Sequence, residues 1–432
     1  MKDQARRAGL VFAASLLACF GVWRWANHVL VPVYTANALA RGRPIGNNSD
    51  LYPVWLTARE VLVQRKTPYS PELTRDIQKG FYGRPLDPNN PEDPANLQAF
   101  VYPLYVIFFL APTVNLPFVT VMKLFRWLLP ICTVMAMPLW MYAIKFRPRW
   151  LLTAAVMVLA VSNFPAVLED RQQNLSVLVV LLLAGAMAAI VRRWMLLGGF
   201  LLALATVKPQ LAGLLIAWML LWAASGWEER RRLVWSFAAT FLALGAAATV
   251  ISPLWMRGFW DAVLAYRTYA MGPSAFQALL PPILAAVVTA SLVGFVALGC
   301  WRGRKSSPGS RQFAWTLALV VSATVAITMQ AAHYQFLLAP ALLLLASSFA
   351  DLCRGSFLVR ALAKGTFACL LWQWAAAIGL ALCSTFASAS KLRSVAELPL
   401  YTLVALPVLT LAAVVGEVLS TPSALSGKAK LG

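Results

Sequence analysis

"NLSVLVVLLLAGAMAAIVRRWMLLGGFLLALATVKPQLAGLLIAWMLLWAASGWEERRR", residues 174–232, holds three apolar runs. They are separated by a pair of arginines and by Lys208, Pro209 and Gln210, and they close on a basic cluster. Similar runs recur along the 432-residue chain. A run of about 18 or more apolar residues can cross a hydrocarbon core of about 30 Å. Sixty per cent of the residues are apolar, and the mean hydropathy is +0.70. The sequence therefore predicts an all-α polytopic membrane protein. The strict alternation of a membrane β-barrel is absent.

Charge sets the orientation. The net charge is +21, from 37 Lys and Arg against 16 Asp and Glu. The basic residues fall in short clusters between apolar runs, at 2–7, 145–149, 192–193, 228–232, 302–311, 354–364 and in the "KAK" tail. That is the pattern of cytoplasmic loops, not of a nucleic-acid module. Placing every cluster inside gives about twelve crossings (10–13) with both termini cytoplasmic. The first span is read as retained, with Trp23 and Trp25 marking its outer interface. The runs 195–207 and 209–226 are short, which implies spans broken or thinned around Lys208. The segment "YPLYVIFFLAPTVNL" is read as juxtamembrane or re-entrant, ahead of the true second span.

A long first outer loop, residues 31–100, carries seven of the chain's acids and eight Lys or Arg. Its net charge is +1 against +20 for the rest, which supports an outside location. Residues 1–420 are read as a single transmembrane domain and 421–432 as a disordered cytoplasmic tail. The six cysteines lie in or beside apolar segments without a CxxC pair and read as small core residues. Two histidines exclude a His-rich metal site. GxGxxG, P-loop, HExxH and GxSxG motifs are all missing.

On this topology the unusual polar residues gather at the outer face. They are Asp50, Tyr102, the string "EDRQQN" (169–174, with Asp170, Arg171, Gln173 and Asn174), Lys208, His333 and Tyr334. Polar groups at membrane depth are costly and commonly mark a site or a wet cavity. Each also has a plain structural role open to it. Asp50 can cap the helix that follows. Gln173 and Asn174 can join spans by hydrogen bonds. Lys208 can snorkel to the headgroups. His333 and Tyr334 can form an interfacial pair.

Taken in order, these pieces resemble glycosyltransferase family 87. "SDLYPVWLTAREVLVQRKTPY" resembles its D-x-x-x-Y/W…P-Y opening, and "FVYPLY" its F-x-Y-P-P-L. "DRQQNLSVLVVLLLAGAMA" resembles its G-Q-x-N-x-L run. "LLGGFLLALATVKPQLAGLLI" is similar to its segment ending in K-P, and "HYQFLLAPALLLL" to a late H-Y-x-x-L-L-x-P. The likeness spans about residues 45–350. It departs where "YPLY" lacks a second proline, where "DR" replaces a glycine before the amides, and where "MQAAHY" lacks an upstream Trp.

The resemblance implies a GT-C fold, the class that includes mycobacterial mannosyltransferases using polyprenyl-phosphate mannose. It implies transfer of a hexose, such as mannose, to a lipid or glycan acceptor at the outer face of the plasma membrane. Asp50 would be the base, and the other residues named would bind donor and acceptor. No cofactor is implied, a divalent metal is left open, and nucleic acid is not a partner. A polytopic transporter or flippase is the rival reading; it calls for internal repeats and midplane charges.

Overall fold

The computed structural model describes residues 2–40, 46–87, 89–269, 272–328 and 331–420, without the side chains of 2–4, 170, 171 and 420. The expected tail, 421–432, lies outside the described residues.

Among the described residues the chain is mostly helical and forms no β-strand. Six helices are long and apolar enough to cross a membrane: Ala5–Ala40, Phe118–Ala143, Trp227–Ile251, Pro282–Gly303, Phe357–Cys383 and Leu398–Leu419. Seven shorter apolar helices accompany them, including Trp150–Val161, Ser176–Val191, Met195–Ala205 and Pro209–Ala224. Burial explains why this surface needs lipid. The most apolar window of Trp227–Ile251 has a mean hydropathy of 1.9, yet only 6% of it is buried. Val250, Ile283 and Trp127 are largely exposed. In water such a surface would be a large unpartnered apolar patch; in a bilayer it is the expected exterior. The interior is dense with aromatics, with Trp140, Trp218, Trp222, Phe313 and Trp315 fully buried.

The first helix outruns the sequence reading. It continues through a π-helical turn, Ala26–Leu30, to Ala40. The first loop therefore begins about ten residues later than the apolar pattern implies, the helix continuing through Val31–Ala40 although Pro32 and several weak helix formers lie within it. Two further helices, Leu51–Leu62 and Pro71–Tyr82, fold within that loop. The second starts at Ser70, whose side chain accepts from the Leu73 N–H, with Pro71 at the first helical position. Residues Leu104–Thr113 form a ten-residue apolar piece of mixed 3₁₀ and α turns, too short to span, ahead of the 26-residue helix Phe118–Ala143. The long loop after Trp227–Ile251 contains an unanticipated helix, Trp255–Tyr269, with Met256, Trp260 and Leu264 exposed on one stripe.

Four basic clusters meet at one end. Buried Arg230 stacks 3.8 Å over Trp222. It also donates to the carbonyls of Trp222 at 2.7 Å and Arg304 at 3.0 Å. Arg193 pairs with Glu229 at 3.5 Å. Gly309 packs so closely on Lys145 that a Cβ would lie 2.4 Å from its Cε. The helix Pro209–Ala224 runs from Lys208 to this end, about 24 Å away at 1.5 Å per residue. Single cysteines at exposed Asn89 and Asp261, in a background free of native cysteine, are expected to react with an impermeant maleimide on intact cells. One at exposed Ser307 is expected to stay unlabelled, and its labelling would overturn the orientation.

Candidate functional site

Five stretches far apart in sequence converge opposite the basic end. The turn after the helix Phe164–Gln172 is the hub. Asn163 starts that helix by accepting from the Ala166 N–H, with Pro165 next in line. Gln173 ends it in the left-handed region, at φ 55° and ψ 52°. Glycine or asparagine is the usual occupant of such a C-terminal position. Gln173 is held there by its side chain: Nε2 donates to the Met122 carbonyl at 2.6 Å, and Oε1 accepts from Ser49 Oγ at 3.0 Å. The Asp50 N–H donates to the Gln172 carbonyl at 2.6 Å. The loop leading into Leu51–Leu62 thereby satisfies a carbonyl that the helix end would otherwise leave open.

That lock places Asp50. It stands at the N-cap position of Leu51–Leu62, but its side chain makes no cap hydrogen bond. The carboxylate turns instead to Asn174, whose Nδ2 donates to Oδ2 at 2.8 Å. Asn174 Oδ1 accepts from the Ser176 N–H at 3.0 Å, from Ser176 Oγ at 2.8 Å and from Lys208 Nζ. Lys208 also donates to Ser176 Oγ at 2.8 Å.

Lys208 does not snorkel. It is 2% exposed, and its ammonium lies 5.6 Å from the Tyr102 ring centroid and 5.4 Å from that of Tyr334. Pro209 fixes the start of the next helix directly after it, where a missing N–H costs nothing. Tyr105 steadies the same turn, its hydroxyl donating to Thr206 Oγ1 at 3.0 Å. Tyr69 anchors Tyr102 by donating to its carbonyl at 2.7 Å. Gln210 Nε2 donates to the Tyr334 hydroxyl at 3.2 Å.

On the far side of the hub lies Glu169, 4% exposed. Its Oε2 accepts the Asn174 N–H at 2.7 Å. Its Oε1 stands 3.9 Å from His333 Nδ1. The His333 ring meets Tyr334 edge-on at 4.8 Å. Asp50, Tyr102 and His333 keep partial access, whereas Gln173, Asn174, Lys208 and Glu169 are buried.

Electrostatics follow from that burial. Burial raises the Asp50 carboxyl above its ordinary value, opposed by the Asn174 hydrogen bond and the Lys208 charge. Burial also pushes Glu169 up to about 8; the Asn174 N–H and Lys208 pull it down, and Asp50 pushes it further up. The cluster can accept a proton at Asp50 while holding a fixed cation a few ångströms away.

Asp50, Asn174, Lys208, Tyr102 and Tyr334 are brought together, and His333 joins through Glu169. Gln173 is spent on the lock between loops rather than facing Asp50. The side chains of Asp170 and Arg171, also expected at the site, lie outside the described residues. Ser176 and Ser49 escaped the sequence reading, and Glu169 stood within the polar string 169–174 without being singled out. Among the described residues no group of three or more His, Cys, Asp or Glu could hold a metal ion. The chain matches no protein-family model, no curated protein and no solved structure.

Proposed function

We propose that this chain is a GT-C glycosyltransferase of the plasma membrane, transferring a hexose from a polyprenyl-phosphate donor to a lipid or glycan acceptor on the outer side. Twelve crossings with both termini inside belong to the same reading. The observation that carries it is the hydrogen-bonded series Asp50–Asn174–Lys208, which sets a partly accessible carboxylate beside a buried ammonium framed by two tyrosines.

The chemistry needs that pairing. The acceptor O–H gives its proton to Asp50, the freed oxygen attacks the anomeric carbon, and the bond from that carbon to the phosphate oxygen breaks. The electron pair leaves on the phosphate, where Lys208 and His333 offset the charge. A single displacement inverts the anomeric centre. General base catalysis of this kind contributes about 10² to 10⁴-fold. Tyr102 and Tyr334 would present polar and aromatic faces to the sugar. The prenyl tail would lie along apolar spans, each buried CH₂ contributing about 0.8 kcal/mol. A cavity of about 380 Å³ between Pro209–Ala224, Pro282–Gly303 and Arg311–Ile327, lined by Leu214, Trp218, Leu292 and Val296, offers such surface.

The test is reconstitution in liposomes with polyprenyl-phosphate hexoses and a membrane extract as acceptor source. Release of polyprenyl phosphate with a new, inverted glycosidic linkage is the expected result. Movement of the intact lipid-linked sugar between leaflets, without bond cleavage, would replace this reading with the flippase one.

A further inference from the structure

The proposed chemistry leaves Glu169 without a task. Its Oε1 is buried and has no hydrogen-bond partner among the described residues. A buried carboxylate oxygen without a partner is costly unless it carries a proton or faces one. The facing group is His333 Nδ1, at 3.9 Å. The charges acting on Glu169 come from Asp50 and Lys208, and Tyr102 lies within its field. The other elements packed on Phe164–Gln172 include Lys2–Trp25, Phe118–Ala143, Trp150–Val161 and Phe357–Cys383, whose Gln373 accepts the Phe164 N–H, and among the described residues none of them supplies a charge acting on this carboxyl.

We propose that Glu169 and His333 share one proton, and that an anionic phosphate arriving beside Lys208 moves it from Glu169 Oε1 to His333 Nδ1. The Oε1–H bond breaks and the Nδ1–H bond forms. Glu169 becomes a carboxylate and His333 an imidazolium whose Nε2–H donates to the phosphate. No proton is taken up or released overall. The gap of 3.9 Å must close by about 1 Å to reach a charge-assisted hydrogen bond, within reach of a carboxyl rotation.

The resting arrangement favours this. Before a ligand binds, Asp50 and Lys208 offset each other, and a standing imidazolium beside Lys208 would be repelled. Burial and Asp50 both favour the proton on Glu169. An incoming phosphate reverses the preference, because its charge is stabilised by a second cation. Glu169 acts through His333 and is a positioning residue. The inference rests on the transferase reading for the identity of the anion.

The chain has only two histidines, His28 and His333. In a His28→Gln background with ¹⁵N-labelled histidine, in phosphatidylcholine nanodiscs, the imidazole shifts report His333 alone. Farnesyl phosphate is the probe, and its ³¹P signal reports binding. The expected result is a neutral ring that becomes an imidazolium on binding. In Glu169→Gln the ring should stay neutral and farnesyl phosphate should bind roughly tenfold more weakly, as a charge-assisted contact becomes a neutral one. Glu169→Asp should recover part of the charged signal. Bound farnesyl phosphate with a neutral His333 in the native protein overturns the proposal and leaves the transferase reading standing, and that spectrum decides even if the Gln variant does not fold. An imidazolium that persists in Glu169→Gln also overturns it. If farnesyl phosphate does not bind the native protein at all, the donor reading falls and the proposal with it.

Discussion

Asp50→Asn is expected to insert, fold and bind donor like the native protein, and to turn over at least about 10²-fold more slowly. The structure makes this a clean substitution. An Asn at 50 keeps an oxygen that can accept from Asn174 Nδ2, and the backbone N–H still reaches the Gln172 carbonyl. No helix cap is lost, because the Asp50 side chain makes none. What disappears is a group able to take a proton. Steady-state turnover on a polyprenyl-phosphate sugar, alongside donor binding and thermal unfolding in detergent, checks the prediction. Native turnover by the Asn variant would remove Asp50 from the chemistry.

Lys208→Gln is expected to lose both donor binding and rate, with Lys208→Arg recovering only in part. The ammonium is buried and donates to Asn174 and Ser176, so its removal leaves Asp50 without its compensating charge. Losing the ammonium also leaves the Asn174 and Ser176 oxygens short of a donor, and a lower melting temperature should accompany the Gln variant. Arg retains the charge but not the shape: its planar fork cannot occupy the space of a compact ammonium between two rings. The pH profile separates a site role from simple loss of stability. Asp50 works as a carboxylate, so the rate rises with pH through its titration. The Lys208 charge holds that titration down; without it the acidic limb moves to higher pH, whereas with Arg it should move little. A Gln variant with native binding, native rate and an unmoved limb would exclude Lys208 from the site.

The polar residues announced themselves by being expensive where they stand, and that signal located Asp50, Asn174, Lys208 and Tyr334 without any knowledge of distance. The sequence could not say which member of a polar string faces inward. In "EDRQQN" every residue looks equally able to serve. The helix Phe164–Gln172 and the left-handed Gln173 then turn Glu169 to the interior and commit Gln173 to Ser49 and Met122. Those partners lie 124 and 51 positions away, beyond any local pattern. Ser176 was hidden for a related reason: a serine opening an apolar helix is unremarkable until a lysine 32 residues later is found on its hydroxyl. Helix limits failed where local propensity argues against the helix, as at Val31–Ala40 with its Pro32, and where an amphipathic stripe sits within a loop, as at Trp255–Tyr269.

The brevity of Met195–Ala205 has an electrical consequence. Its eleven residues reach about 16 Å, roughly half the thickness of a hydrocarbon core. The sixteen residues of Pro209–Ala224 return about 24 Å to the same end, so on the proposed orientation Lys208 would lie about 6–14 Å below the outer edge of the core, part-way down the transmembrane voltage drop. An elementary charge crossing the full drop changes energy by about 2.3 kcal/mol per 100 mV, so an anion descending about a fifth to a half of it from outside would meet a penalty of about 0.5–1 kcal/mol per 100 mV when the interior is negative. On the proposed orientation, an energised cell opposes the seating of the donor phosphate and assists the expulsion of the spent one. Collapsing the potential with an ionophore would then tighten donor binding several-fold, coupling this site to the energetic state of its membrane without any dedicated sensor.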